Sequence, residues 1–125
     1  MTFRLLLILV LMCFAEYANA ASATLTWNAN TESDLAGYKV YRGNGSCSVG
    51  PLAPLTVNGV QVTVASPATT YIDNTVPVFD GDLCYEITAF DTSGNESARS
   101  NRATKTVNLV PPMAPTGLSI GAVVP

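Results

Sequence analysis

Hydrophobic and polar residues alternate along most of this chain in short runs, broken about every ten residues by Gly, Pro, Asn or Asp. Period-2 runs at that spacing predict β-strands in a sandwich or barrel, because alternate side chains of a strand face opposite sides. In ATLTWN (23–28), Leu25 and Trp27 face one way and Thr24 and Thr26 the other. In GYKVYRG (37–43), Tyr38 and Val40 oppose Lys39 and Tyr41. LTVNGVQVTV (55–64) holds Asn58-Gly59 between β-branched residues, the strongest short hairpin signal, since both residues tolerate the positive φ of a type I′ turn. TTYIDNTV (69–76) reads as a further strand. LCYEITAFD (83–91) is the clearest, with Leu83, Tyr85, Ile87 and Ala89 on one face and Cys84, Glu86, Thr88 and Phe90 on the other. The more polar 97–108 reads as an edge strand whose Arg99, Arg102 and Lys105 would discourage pairing with other chains.

Two segments depart from this pattern. Residues 1–20 carry Arg4, an unbroken apolar run from Leu5 to Phe14, and Ala18-Asn19-Ala20. Those are the parts of a secretory signal peptide, with cleavage expected after Ala20. The apolar run is too short to cross a bilayer, and Met12 is too large a neighbour for lipoprotein cleavage at Cys13. Export to the periplasm or the medium is expected, with no membrane attachment afterwards. From Val110 the chain turns proline-rich, Pro111, Pro112 and Pro115 favouring extended, unpaired backbone. The expected organisation is a leader at 1–20, one domain at 21–109 and a tail at 110–125.

Composition narrows the chemistry. The formal net charge is -3 and the basic residues form no dense run, so nucleic acid is not an expected partner. The chain has no histidine, which removes the commonest general base and transition-metal ligand. Ser46, Ser48, Ser93 and Ser97 therefore have no imidazole to activate them. Glu32 and Asp34 could in principle do acid–base work on a glycoside, but they sit in a short polar stretch that reads as a solvated loop. No catalytic activity and no cofactor are expected. Cys47 and Cys84 in an exported chain are most simply a disulfide; a zinc site would need two further ligands that no histidine can supply.

The order TLTWNANTESDLAGYKVYRG, then TTYIDNTV, then CYEITAFDTSGNESARSN resembles a bacterial fibronectin type III domain over about residues 23–108. The resemblance implies an immunoglobulin-like sandwich of two sheets, strands A to G, with Trp27 on B, Tyr38 and Val40 on C, Tyr71 near E, Leu83 to Phe90 on F, and 97–107 as G. A core of Leu25, Trp27, Tyr38, Val40, Tyr71, Leu83, Tyr85, Ile87 and Ala89 follows. Strand A has no counterpart. Leu83 stands where the family keeps a tyrosine whose hydroxyl ties the E–F corner; the disulfide is a candidate replacement. The topology brings Cys47 and Cys84 to one end. It brings the BC loop (Glu32, Asp34) and the FG loop (Asp91, Asn95, Glu96) together at the other.

These loops are the candidate binding surface, for a protein or carbohydrate ligand. Their oxygens raise a calcium reading, against which Asp91-Thr92-Ser93-Gly94-Asn95 reads more simply as a hairpin turn, with no EF-hand spacing. Tyr41 and Phe90 form a second candidate, an aromatic sheet face that either grips a ligand or lies under the C′ hairpin. Within the family such domains serve as spacers and recognition modules, so the expected function is a non-catalytic binding or adhesion module. A self-associating structural spacer is the alternative. PMAPTGLSI resembles the strand A that opens a further such domain. Reaching the chain's own A position in antiparallel register would need residues 108–115 to recross the whole domain, at about 3.1 Å per residue. The tail is expected instead to stay loose, to pair parallel to B, to donate a strand to another copy, or to be the start of a truncated second repeat.

Overall fold

The computed structural model describes residues 20–45, 47–48 and 50–125, so the predicted leader lies outside the described residues apart from Ala20. Among the described residues nine strands follow in order: β1 (Ala21–Thr26), β2 (Leu35–Gly45), β3 (Ala53–Pro54), β4 (Thr56–Val57), β5 (Val60–Gln61), β6 (Thr63–Ala65), β7 (Thr70–Val76), β8 (Asp80–Asp91) and β9 (Ala103–Asn108). There is no helix among the described residues. The protein is an all-β sandwich.

The larger layer is built on β2 and β8, antiparallel from Leu35↔Asp91 to Gly45↔Asp82. The β9 strand extends it beyond β8, and β3 and β6 pair with successive parts of the other edge of β2. Between those two contacts the chain leaves the sheet as the β4–β5 hairpin. Its tip is the predicted Asn58-Gly59 turn, with φ of 52° and 78°. The smaller layer is β1 paired antiparallel with β7 alone.

The alternation read along the chain decides what lies between the layers. Tyr38 and Val40 of β2 and Leu83 and Tyr85 of β8 point inward and are buried, joined by Leu55, Val64 and Val76. Leu25, Trp27, Tyr71, Ile87 and Ala89, all expected in the core, pack against this cluster but are only partly buried. The reason is that the smaller layer has two strands and cannot cover the whole inner face of the larger one. Trp27 sits at its margin, edge-on to Tyr38 with ring centroids 5.1 Å apart.

One charged group lies fully inside. Asp73 of β7 has no exposed surface. Its Oδ1 accepts from the Thr75 N–H (2.8 Å) and hydroxyl (2.6 Å). Its Oδ2 accepts from Arg42 Nη1 (2.7 Å) and the Tyr85 hydroxyl (2.8 Å). Burial by itself would raise the pKa of this carboxyl; the bonds from Thr75, Tyr85 and Arg42 outweigh it and leave the pKa lowered. Tyr85 is shifted up, by burial first and then by its bond to Asp73. The Tyr85–Asp73 bond ties β8 to β7 across the sandwich, a link between layers that the Leu83 position cannot make.

The edge strand predicted at 97–108 begins only at Ala103. Over 97–100 the Ser97 and Ser100 N–H groups still donate to Ala89 and Ile87 carbonyls (2.8 Å each). The returning bonds, however, go from the Ala89 and Ile87 N–H to the serine hydroxyls at 2.9 and 3.0 Å. Side-chain oxygens replace backbone carbonyls, and the regular ladder stops there. Arg99 and Arg102 do not project from the edge as expected; both fold across the outer face to Glu86.

Removing one partner of a buried ion pair leaves the others unsatisfied. Asp73→Ala is therefore expected to lower the unfolding free energy by about 3–5 kcal/mol in urea titrations. A loss below about 1 kcal/mol, the size of an ordinary surface change, would show that the cluster contributes little.

Candidate functional site

The two loops predicted to converge do so. The Thr92 N–H donates to the Asp34 carbonyl at 2.9 Å. A shallow pocket of about 250 Å³ is lined by Glu32, Asp34, Phe90, Asp91, Asn95 and Glu96, among others. Within it the roles differ. Asp91 Oδ1 accepts from the N–H groups of Ser93 and Asn95 (2.9 Å each), and Oδ2 accepts from Asn95 Nδ2 (2.8 Å). These bonds, the Asn95 side chain first, lower the Asp91 pKa. Gly94 supplies the positive φ, 87°, that closes the turn. Both carboxylate oxygens of Asp91 thus serve the turn itself. Among the described residues no group of three or more Asp, Glu, His or Cys is placed to hold a metal ion. Glu32 and Asp34 remain on an exposed loop, where Asn30 Nδ2 reaches the Glu32 carboxylate at 3.5 Å.

Glu96 belongs to a second surface, the outer face of the β2–β8 sheet. It accepts from Lys39 Nζ (2.6 Å), the Thr88 hydroxyl (2.7 Å) and the Tyr41 hydroxyl. Lys39, then Thr88 and Tyr41, pull its pKa down to about 2, and the same bond raises that of Lys39. Tyr41, expected as an exposed aromatic, is buried. The Arg99 guanidinium lies 3.2 Å from its ring centroid, and Leu52 and the two cysteines pack beside it. Phe90 is half-buried, with Lys39 Nζ 5.6 Å from its ring centroid. Glu86 holds both Arg99 (3.2 Å) and Arg102 (2.8 Å), and the two arginines donate onward to the carbonyls of Leu52, Gly50 and Cys47. This face is a closed network of charges over aromatic rings, and Tyr41 offers no ring to a ligand.

The network also seats the Cys47–Cys84 disulfide. Cys84 points to the outer face opposite Gly43, where any Cβ would lie 2.9 Å from the Cys84 sulfur and 2.8 Å from Leu52. A side chain at position 43 would displace the bridge or Leu52. The disulfide fits an oxidising compartment. No helix among the described residues is long and apolar enough to cross a membrane.

A third surface was not anticipated. A groove of about 580 Å³ runs between β1 and the 97–103 segment, floored by Leu25, Trp27, Tyr38, Ile87 and Ala89. The Trp27 N–H donates to the Thr69 carbonyl at 3.1 Å, so Trp27 and, by antiparallel alternation, Leu25 and Ala23 direct their peptide groups at β7. Thr24 and Thr26 therefore direct theirs away from β7, into the groove, and among the described residues no strand pairs with that edge. The Trp27 indole N–H is buried and has no acceptor among the described residues. From the sequence no strand is expected beside β1; the cavity there is not legible in it, because it needs the spacing of the two layers.

The fold and surfaces define a small two-layer β-sandwich with one cavity at the loop end and another along the open β1 edge. Over 93 residues, 74% of its length, the chain is 33% identical to an alpha-amylase from Niallia circulans. The matched stretch is 6% of that protein, so the chain spans only a small part of this bacterial relative. No model of a known protein family matches the chain, and no solved structure matches it.

The lowered pKa of Glu96 has a definite sign. A carboxylate held below its ordinary value stabilises the fold above that value, here 4.5, and loses the contribution as pH falls toward about 2. The stability difference between the native chain and Glu96→Gln, read from thermal melts, should be largest above pH 4.5 and vanish near pH 2. A difference independent of pH would contradict the Lys39–Glu96–Tyr41 arrangement.

Proposed function

We propose that this chain is an exported, non-catalytic accessory module of the fibronectin type III kind, which binds carbohydrate beside polysaccharide-degrading enzymes. The observation that carries this reading is the size of the amylase match. A unit that covers most of this chain and 6% of a far longer protein has the proportions of an appended module. The strand order supports the fibronectin type III assignment: β1 with β7 corresponds to strands B and E, and β3-β2-β8-β9 to C′, C, F and G.

The way the acids are used supports a non-catalytic role. Asp73, Glu86, Asp91 and Glu96 each hold structural hydrogen bonds. Glu32 and Asp34 stand on an exposed loop without an enclosing cleft. The same loop suits recognition. The exposed carboxylates of Glu32 and Asp34 can accept bonds from sugar hydroxyls, and Phe90 adds apolar surface to the pocket lining. The leader motif and the disulfide support export.

The purified exported chain should be retained on an insoluble α-glucan. The double variant Glu32→Ala/Asp34→Ala should lose about tenfold in affinity, roughly one well-placed hydrogen-bond pair, with an unchanged melting temperature. Elution of the native chain in the void, on α-glucan and on other polysaccharides alike, would contradict the carbohydrate reading.

A further inference from the structure

We propose that the groove beside β1 receives a strand from the C-terminal tail of a second copy of this chain. The proposal stands on a different surface from the carbohydrate reading and does not depend on it.

The groove has the requirements of a missing strand. Thr24 and Thr26 present unpaired N–H and C=O groups along its wall, and buried or edge backbone groups of this kind are the template for strand addition. Its floor is apolar, from Leu25, Ile87 and Ala89, and needs alternate apolar side chains above it. Trp27 and Tyr38 add aromatic surface to the same lining.

The tail has the complementary pattern. Leu118, Ile120, Ala122 and Val124 recur at period 2, so in extended backbone they share one face. No residue from 109 to 125 is charged. Yet Leu118 is 94% exposed and Ile120 86%. The tail forms no strand and leaves these side chains in water. Apolar residues with strand periodicity and nothing to cover them are a donor without an acceptor, and the groove is an acceptor without a donor.

Geometry excludes the chain's own groove in antiparallel register. Asn108 pairs with Asp80, and the chain from Val76 runs directly into Asp80, while Val76 pairs with Ala21. The tail therefore leaves the domain at the end where β1 begins. The Asp80 carboxylate fixes that point by accepting from the N–H groups of Leu109 (2.8 Å) and Val110 (3.0 Å). An antiparallel partner of β1 must enter from the far end, at Thr26. The stiff segment with Pro111, Pro112 and Pro115 would have to recross the whole domain first. A tail from a second copy meets no such limit. Each copy then has one donor and one acceptor on different surfaces, so donation proceeds head to tail or closes reciprocally in pairs.

Multi-angle light scattering across a concentration series tests this on the exported, purified chain. The native chain is expected to gain mass with concentration. Leu118→Asp/Ile120→Asp, which alters only exposed tail positions, is expected to stay monomeric with the native melting temperature. Thr26→Pro removes an N–H that bonds nothing in the domain and is expected to do the same. A peptide of residues 113–125, added to the Leu118→Asp/Ile120→Asp chain, should shift the emission of Trp27, the one tryptophan. A native chain that is monomeric at every concentration overturns the proposal, whether or not its tail resists proteolysis. So does association that survives the tail variant, or that survives Thr26→Pro. If Thr26→Pro fails to fold, the tail variant and the peptide titration decide alone.

Discussion

The pairing of β2 with β8 organises everything else in this molecule. The 11 residues of β2 lie along the 12 of β8 in a single antiparallel ladder. Because side chains alternate along both strands, that one ladder divides the protein into an inner face that must be covered and an outer face that meets water. Tyr38, Val40, Leu83 and Tyr85 go inward, and the second layer, β1 with β7, forms over them. Tyr41, Cys84, Glu86 and Thr88 go outward, and each then acquires a cover or a partner. A slip of one residue in the register would exchange the two sets and leave neither face satisfied.

Both faces carry buried polarity, managed in different ways. Inside, Asp73 is neutralised by Arg42 at the rim of the sandwich, and its remaining lone pairs are taken by Thr75 and Tyr85. The carboxylate is tolerated because every acceptor site has a donor, and the same bonds fix how far β7 sits from β8. Outside, arginines from the irregular 97–102 segment lie flat over Tyr41 and meet Glu86. Their stems and planes exclude water from the disulfide and Leu52 while their charges stay partly solvated. The break in the β9 ladder at Ser97 and Ser100 is what frees Arg99 and Arg102 to turn inward over the sheet.

Much of this architecture is legible in the residues themselves. Period-2 runs place β1, β2, β7 and β8 within a few positions, Asn58-Gly59 fixes a hairpin, and Cys47 and Cys84 form the expected bridge. The convergence of the 30–34 and 91–96 loops follows once the strand order is known. What stays hidden depends on distances between layers. Parity puts Tyr71 and Asp73 on one face, but an acid in TYIDNTV reads as solvent-exposed until Arg42, 31 residues away, is seen opposite it. Tyr41 sits on the face that alternation assigns, yet nothing local announces that Arg99 will cover it. Asp91 and Glu96 look alike in sequence, and only the fold separates a turn-former from the anchor of a charge network.

The thin second layer has a cost: among the described residues the outer edge of β1 is left open, next to a groove lined in part by Trp27 and Tyr38. Amide hydrogen exchange at low protein concentration tests this most directly. Along β1, slow and fast exchange should alternate. Ala23, Leu25 and Trp27, bonded to β7, should be protected; Thr24 and Thr26 should exchange like unstructured chain; and β2 and β8 should be the most protected part of the molecule. Equal protection at all five positions from Ala23 to Trp27 would mean that another strand already covers that edge, and the two-strand layer at the centre of this account would be wrong.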